Sequence, residues 1–193
     1  VNCNFTYGIL ESVRLSWLRE ICDVAESLNL EYAISQHPRD KGDLREFDNV
    51  LSSSAAKIHE QLQSSGILIT RFSSLIHEAL FLSIPVVYYN PHNESQIENL
   101  EIDGEVVREA RSEQELKTVL ESLLNSRPAN DMFLDYINRN CLDTRSKILP
   151  SKQIARVLNH INISSKKFEW TDYFKIFLYQ PWIRRLSLYL RRK

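Results

Sequence analysis

A histidine followed by proline and arginine in "SQHPRD" (35–40), and two adjacent serines in "TRFSS" (70–74), are the residues of this 193-residue chain best suited to hold an anion. The serines stand where an apolar run, "GILIT", gives way to the helix-patterned "SLIHEALFLS". A helix start presents unpaired backbone N–H groups and a partial positive charge, so it attracts anions. Two short hydroxyls there add donors, and a phosphate can then be held without the glycines that other phosphate loops use. His37, with Arg39 beside it, offers a cationic or proton-donating partner from the other loop. A serine before a helix is ordinarily only an N-cap, worth about 1 kcal/mol. What points to a ligand is the pairing of two such loops after two strands.

The elements that position these loops follow from hydrophobic period. Residues 12–29 carry apolar side chains at helical spacing from Val13 to Leu28. Short β-prone runs at 31–36 and 49–53 flank loop chemistry in "HPRDKGD". A helix is expected over 54–65 with a serine near its start, then a buried strand in "GILITR", a helix of about three turns and a buried strand in "PVVYYN". "GEVVREA" reads as a last strand, and "SEQELKTVLESLLN" (112–125) as an amphipathic helix with an acidic first turn. "NDMFLDYINRNCL" and "SKQIARVLNHI" predict two more helices.

Strands alternating with helices imply βαβ units and a parallel sheet. The expected fold is a Rossmann-like, doubly wound α/β domain over residues 1–163. A basic, aromatic, amphipathic helical tail follows over 164–193. In such a sheet, ligands bind at the carboxyl ends of the strands. Thr70 and Arg71 end one strand there, and Asn90, His92 and Glu94 follow the next. Glu78, one turn into the serine helix, places a carboxylate where ribose hydroxyls could donate to it. The nucleotide- and ribose-facing set is therefore Thr70, Arg71, Glu78, Asn90 and Glu94, beside a phosphate set of His37, Arg39, Ser73 and Ser74.

Taken in order and spacing, "HPRD" and then "ILITRFSSLIHEALFLSIPVVYYNP" resemble the carboxyl-terminal nucleotide-binding half of GT-B glycosyltransferases. The likeness is to the bacterial capsule and lipopolysaccharide enzymes with a His-Pro and a Ser-Ser motif, and to CDP-glycerol glycerophosphotransferases. It covers about residues 12–125. The resemblance implies that His37 contacts the donor phosphate and assists departure of the nucleotide, as the catalytic residue of this half. It implies that Ser73 and Ser74 hold that phosphate and that Glu78 lies near the ribose. It further implies transfer of a sugar from a nucleotide-activated donor to a surface polysaccharide or lipid-linked acceptor, without a metal. The absence of a DxD motif or a His/Cys ligand cluster agrees with that.

Three other readings stay open: a CDP-glycerol-type transferase, a sugar-nucleotide epimerase of the UDP-N-acetylglucosamine 2-epimerase type, and a non-catalytic nucleotide-binding module. A glycine pair at the phosphate loop would favour the epimerase, and Ser73-Ser74 counts against it. GT-B enzymes have two such halves, and the acceptor half usually carries the base. The carboxylates of "GDLREFD" (42–48) read as exposed loop, and the chain begins at Val1, so a fragment lacking an amino-terminal half is expected.

Composition is that of a globular protein: 43% hydrophobic and 25% charged, with four glycines and six prolines. The net charge of −1 conceals a division. Residues 166–193 carry eight basic and two acidic side chains, and the rest carry sixteen and twenty-three. Residues 168–193 also hold eight of the nineteen aromatics, with Phe174, Leu178, Trp182 and Leu186 four apart. That pattern fits an interfacial membrane helix or a helix packed on a partner half. Nucleic acid is not an expected partner, since the body is acidic and lacks a recognised binding motif. Cys3, Cys22 and Cys141 have no CxxC spacing and are expected as free thiols, Cys22 buried, in a reducing cytoplasm. No apolar run is long enough to span a bilayer. The expected location is cytoplasmic, at the inner face of the membrane.

Overall fold

The computed structural model describes residues 1–6, 9–52, 55–94 and 100–140. The chain divides into two compact units, Val1–Ser146 and Lys147–Lys193. The expected helix in 151–161, the boundary at 163, the tail and Cys141 lie outside the described residues.

Six strands form one sheet: β1 (Asn2–Cys3), β2 (Ile34–Gln36), β3 (Val50–Ser52), β4 (Leu68–Thr70), β5 (Val86–Tyr89) and β6 (Val107–Ala110). The spatial order is β3-β2-β1-β4-β5-β6, and every pairing is parallel. The helices are α1 (Arg14–Ser27), α2 (Ala55–Gln63), α3 (Leu75–Phe81), α4 (Glu113–Asn125) and α5 (Asn130–Asn140), with a 3-10 turn at Glu11–Val13. The Rossmann-like α/β fold expected from the sequence is the fold observed.

The paired apolar residues of the central strands show why both faces need cover. In β4, Leu68 joins one core and Ile69 the other; in β5, Val86 and Val87 divide the same way. Successive side chains of a strand point to opposite faces, so a run without polar residues is stable only between two helix layers. One layer contributes Trp17, Leu18 and Ile21 of α1 with Leu116, Leu120 and Leu123 of α4. The other contributes Leu62 of α2, Ile76, Ala79 and Leu80 of α3, and Phe133, Tyr136 and Ile137 of α5.

Local signals account for most element ends. The Ser112 hydroxyl accepts the Glu115 amide at 3.2 Å and caps α4, while Glu115 accepts the Arg111 amide at 2.8 Å. β6 starts later than the sequence suggests. Asp103 Oδ1 accepts the amides of Glu105, Val106 and Val107, and Gly104 takes φ 75°, so 103–106 is a turn. α3 has seven residues rather than three turns, because Ser83 adopts φ 56° and closes it. Strand β1 has no sequence signature: two residues cannot show a period, and one of them is Asn2.

Trp17 anchors the α1 layer. It is fully buried, meets Phe5 edge-on with ring centroids 5.5 Å apart, and donates its indole N–H to the Tyr89 carbonyl at 3.1 Å. That bond holds α1 to the last residue of β5. Trp17→Ala is expected to cost about 3–5 kcal/mol in equilibrium urea unfolding. Leu134→Ala, at a side chain 53% exposed, should stay within about 0.5 kcal/mol of wild type. Equal costs would mean that the α1 layer is not the core described.

Candidate functional site

In this strand order the direction of winding reverses between β1 and β4, the position where doubly wound sheets bind ligands outside the carboxyl ends of their strands. The β1 loop begins with Asn4, Phe5 and Thr6; the β4 loop is Arg71–Ser74. The His37 loop leaves β2 on the far side of β1. It is separated from the serines by one strand, about 10 Å between the flanking strand ends. Parallel pairing of all three strands thus brings the His-Pro and Ser-Ser loops to one edge of the sheet.

His37 sits in a tight turn. Its carbonyl accepts the Asp40 amide at 2.8 Å, and its ring Nδ1 accepts the Arg39 amide at 3.1 Å. In the neutral ring, an accepting Nδ1 leaves the proton on Nε2. Half-buried His37 thus offers an N–H donor, the proton-donating alternative of the sequence reading. Arg39 beside it is exposed.

The two serines differ. Half-buried Ser73 uses its Oγ to accept the Leu75 amide at 3.2 Å, the turn that starts α3. Exposed Ser74 makes no side-chain capping bond. The capping task therefore falls to Ser73, whose hydroxyl proton stays available to donate, while Ser74 presents its whole hydroxyl to solvent. Phe72, 50% exposed, stands beside them, and Ile9 of the β1 loop is exposed as well.

The nucleotide-facing set is placed less openly. Thr70 is fully buried, and its Oγ1 accepts from Asn2 Nδ2 at 3.0 Å. Arg71 pairs with Glu94, with side chains only 4% and 14% exposed, through Nε to Oε2 at 2.7 Å and a second, Nη2–Oε1 contact. It also donates to the Asn4 carbonyl at 3.0 Å, and its guanidinium lies 4.0 Å from the Phe5 ring centroid. Asn90 is buried, and it accepts the Glu94 amide at 2.7 Å and donates to the Glu94 carbonyl at 3.2 Å. Thr70 is therefore engaged with β1, and Arg71, Asn90 and Glu94 with one another and with the β1 loop. Their polar groups form the floor of the edge. Exposed His92 lies in the same loop as Asn90. Glu78 Oε2 lies 3.3 Å from His59 Nδ1 of α2, within ion-pair range but without hydrogen-bond geometry.

One organising residue has no sequence signal beyond its place after "HPR". Asp40 has a fully buried side chain and pairs with Arg14 of α1 at 2.8 Å. It accepts the Phe5 amide at 3.0 Å and the Gly42 amide at 2.9 Å, and the Cys3 thiol donates to it at 3.5 Å. Burial, then the Asp40 charge, pushes the Cys3 thiol up, so it stays protonated as the donor. A Cβ at Gly42 would come within 2.3 Å of the Arg14 guanidinium carbon, so a side chain there must displace the end of Arg14. Cys3 and Cys22 are buried free thiols. The described residues hold no cluster of three or more potential metal ligands, and no helix among them is long and apolar enough to cross a membrane.

A cleft of about 630 Å3 opens elsewhere, at the amino ends of the strands, between Leu30, Tyr32, Ile67 and Pro85. None of the site residues predicted from the sequence lines it. The carboxyl edge, not this cleft, collects the polar groups.

No family model matches the chain. No characterised protein matches it in sequence. Among solved structures it is similar to the UDP-GlcNAc 2-epimerase of Methanocaldococcus jannaschii, solved in complex with UDP-GlcNAc and UDP. The TM-score is 0.51 with 16% sequence identity, over 78% of this chain and 42% of that one. The chain therefore spans less than half the length of that enzyme, and the likeness is one of fold.

Tyr88 offers a test of the buried floor. Burial, with the charge of Glu94 next in size, pushes its phenol up from about 10 to about 12. The unfolded chain releases this proton above pH 10 and the folded chain does not. Stability is therefore intact below pH 10 and falls as the pH rises toward 12, by at most about 1.4 kcal/mol per pH unit from this group. Wild type should lose stability more steeply than Tyr88→Phe across that window in urea titrations. Parallel curves would show that Tyr88 does not sit in this environment.

Proposed function

We propose that the chain binds a nucleotide-activated sugar at the carboxyl edge of its sheet, as the donor-binding half of a GT-B type glycosyltransferase. The observation that carries this reading is the 3-2-1-4-5-6 strand order. It sets the His37 loop and the Ser73-Ser74 loop on either side of the central strand, where such sheets bind nucleotides. Support also comes from the similar fold of an enzyme solved with UDP-GlcNAc and UDP.

In this reading the diphosphate lies across β1, between the His37 Nε2–H and the two serine hydroxyls. Sugar transfer builds negative charge on the departing nucleotide phosphate. Donors fixed in place before reaction stabilise that charge without reorganising, which is how such sites lower barriers. With its Nδ1 taken by the Arg39 amide, His37 contributes its Nε2–H as a hydrogen-bond donor, and Arg39 supplies positive charge at the rim. Arg71 and Glu94 set the height of the β4 and β5 loops beneath the nucleotide. The acceptor is a surface polysaccharide or a lipid-linked sugar, and the basic aromatic segment 168–193 is assigned to the membrane face bearing it. Its support is compositional: eight basic residues after 165 and Trp, Tyr and Leu at helical spacing.

Thermal-shift and calorimetric titration of the full chain with UMP, UDP, CMP, CDP and GDP tests the site. A nucleotide at 100 times its Kd should add about 2.7 kcal/mol of stability. The expected result is stabilisation by a pyrimidine diphosphate, lost in His37→Ala and reduced in Ser74→Ala, whose hydroxyl makes no capping bond. A cytidine preference would turn the reading toward CDP-glycerol or CMP-sugar donors. Binding unaffected by either substitution would remove the site from this edge.

A further inference from the structure

We propose that Asp40 is the positioning residue of the site: its buried carboxylate, gripped by Arg14, holds the 37–40 turn so that His37 keeps its proton on Nε2 and presents it at the carboxyl edge of the sheet. This rests on the donor-binding reading above for its purpose, though not for its geometry.

Three contacts define the His37 ring. The backbone amide of His37 donates to the Cys3 carbonyl at 2.9 Å, which continues the β1–β2 ladder one residue past β2. The Asp40 amide closes the turn on the His37 carbonyl, and the Arg39 amide takes up Nδ1. The last of these sets the tautomer, and it exists only while the turn keeps its shape. Pro38 fixes one dihedral of the turn and the Asp40 amide closes it, but no contact within the turn fixes where it sits against the rest of the protein.

Asp40 does so from inside the protein. One oxygen, Oδ1, takes Arg14 Nη2 and the Gly42 amide; the other, Oδ2, takes the Phe5 amide, Arg14 Nε at 3.3 Å and the Cys3 thiol. Arg14 in turn donates to the Phe5 carbonyl at 3.2 Å. The same carboxylate therefore binds the β1 loop, the β2 loop and the first turn of α1. A carboxylate is an acceptor on every side, and all five contacts are donors. An amide at this position would turn its own N–H groups toward a donor. The ion pair also offsets the cost of burying the charge, as bidentate guanidinium–carboxylate geometry allows.

The arrangement separates two tasks. His37 is half-buried at the carboxyl edge of the sheet, whereas the Asp40 side chain is fully buried. Asp40 acts through the turn and not on a ligand.

The test uses the full chain with 15N-labelled histidine, and it reads the tautomer of His37 from long-range 1H–15N correlations without ligand. Titration with UDP and CDP follows. The wild type is expected to show the Nε2–H form. Asp40→Asn, which is isosteric, should give a mixture of tautomers. Gly42→Ala, which keeps Asp40 but displaces the Arg14 guanidinium, should do the same to a smaller degree. Phe133→Leu, in the opposite core, serves as the control for lost stability alone and should leave the tautomer unchanged. Where nucleotide binds, affinity should fall about tenfold in Asp40→Asn, the size of one lost hydrogen bond to a charged group. If Asp40→Asn does not fold, Gly42→Ala carries the test, because its clash is with the end of a flexible side chain. A His37 tautomer unchanged in folded Asp40→Asn or Gly42→Ala overturns the proposal. A tautomer that responds while no nucleotide binds the wild type upholds the positioning role and overturns the donor-binding reading instead.

Discussion

Two guanidinium groups approach the ring of Phe5, Arg71 at 4.0 Å and Arg14 at 5.5 Å from its centroid, Arg14 tied to the buried carboxylate of Asp40 and Arg71 to the partly buried one of Glu94. The carboxyl edge of the sheet depends on this arrangement. A buried charge alone is costly, and removing one member of such a pair typically costs about 3–5 kcal/mol because the other is stranded. Here each pair also satisfies backbone groups. Arg71 covers the Asn4 carbonyl, Arg14 covers the Phe5 carbonyl, and Asp40 covers the Phe5 amide. The charges are thus linked to the main chain of the β1 loop.

That linkage answers a weakness of the fold. The central strand has two residues and meets β4 through one register pair, Asn2 with Thr70. So short a ladder cannot by itself set the positions of the loops that leave it. The Arg14–Asp40 pair joins the β1 loop to the β2 loop and α1. The Arg71–Glu94 pair joins it to the β4 and β5 loops. Asn4 adds a bond from its side chain to the Phe72 carbonyl at 3.0 Å. Beside this floor stand the exposed or half-buried groups His37, Phe72, Ser73 and Ser74. In the donor-binding reading, a floor already engaged in this way would let those groups meet a phosphate with little reorganisation, the condition for electrostatic stabilisation to count.

Much of the architecture was legible because it is written in local pattern. Buried strands announce themselves as continuous apolar runs, α4 by its serine cap and acidic first turn, and the alternation of strand and helix by the switch of period. The His-Pro and Ser-Ser loops were found the same way, as polar interruptions after such runs. The division of labour between the serines was not legible. Both are short hydroxyls at a helix start, and only the backbone decides that Ser73 takes the Leu75 amide. Arg71 and Glu94 read as polar residues at strand ends facing a nucleotide; the structure turns them toward each other and under Phe5. Glu78 falls beside His59 of α2, a neighbour nineteen positions back whose approach depends on how α2 and α3 pack.

Period, capping and turn preference act over a few residues, so they set the class of fold, the order of its elements from α1 onward and the loops in which polar chemistry gathers. Which polar groups face outward and which are structural is settled by packing between distant parts of the chain. Asp40 holds Arg14, Phe5 and Cys3 from 26, 35 and 37 residues away, and Arg71 holds Glu94 and Asn4 from 23 and 67 away. No local pattern encodes such pairs, since their worth comes from burial together in a medium where each needs the other. The strand order sits at the same level. A two-residue strand becomes the centre of the sheet only when β2 and β4 close on either side of it.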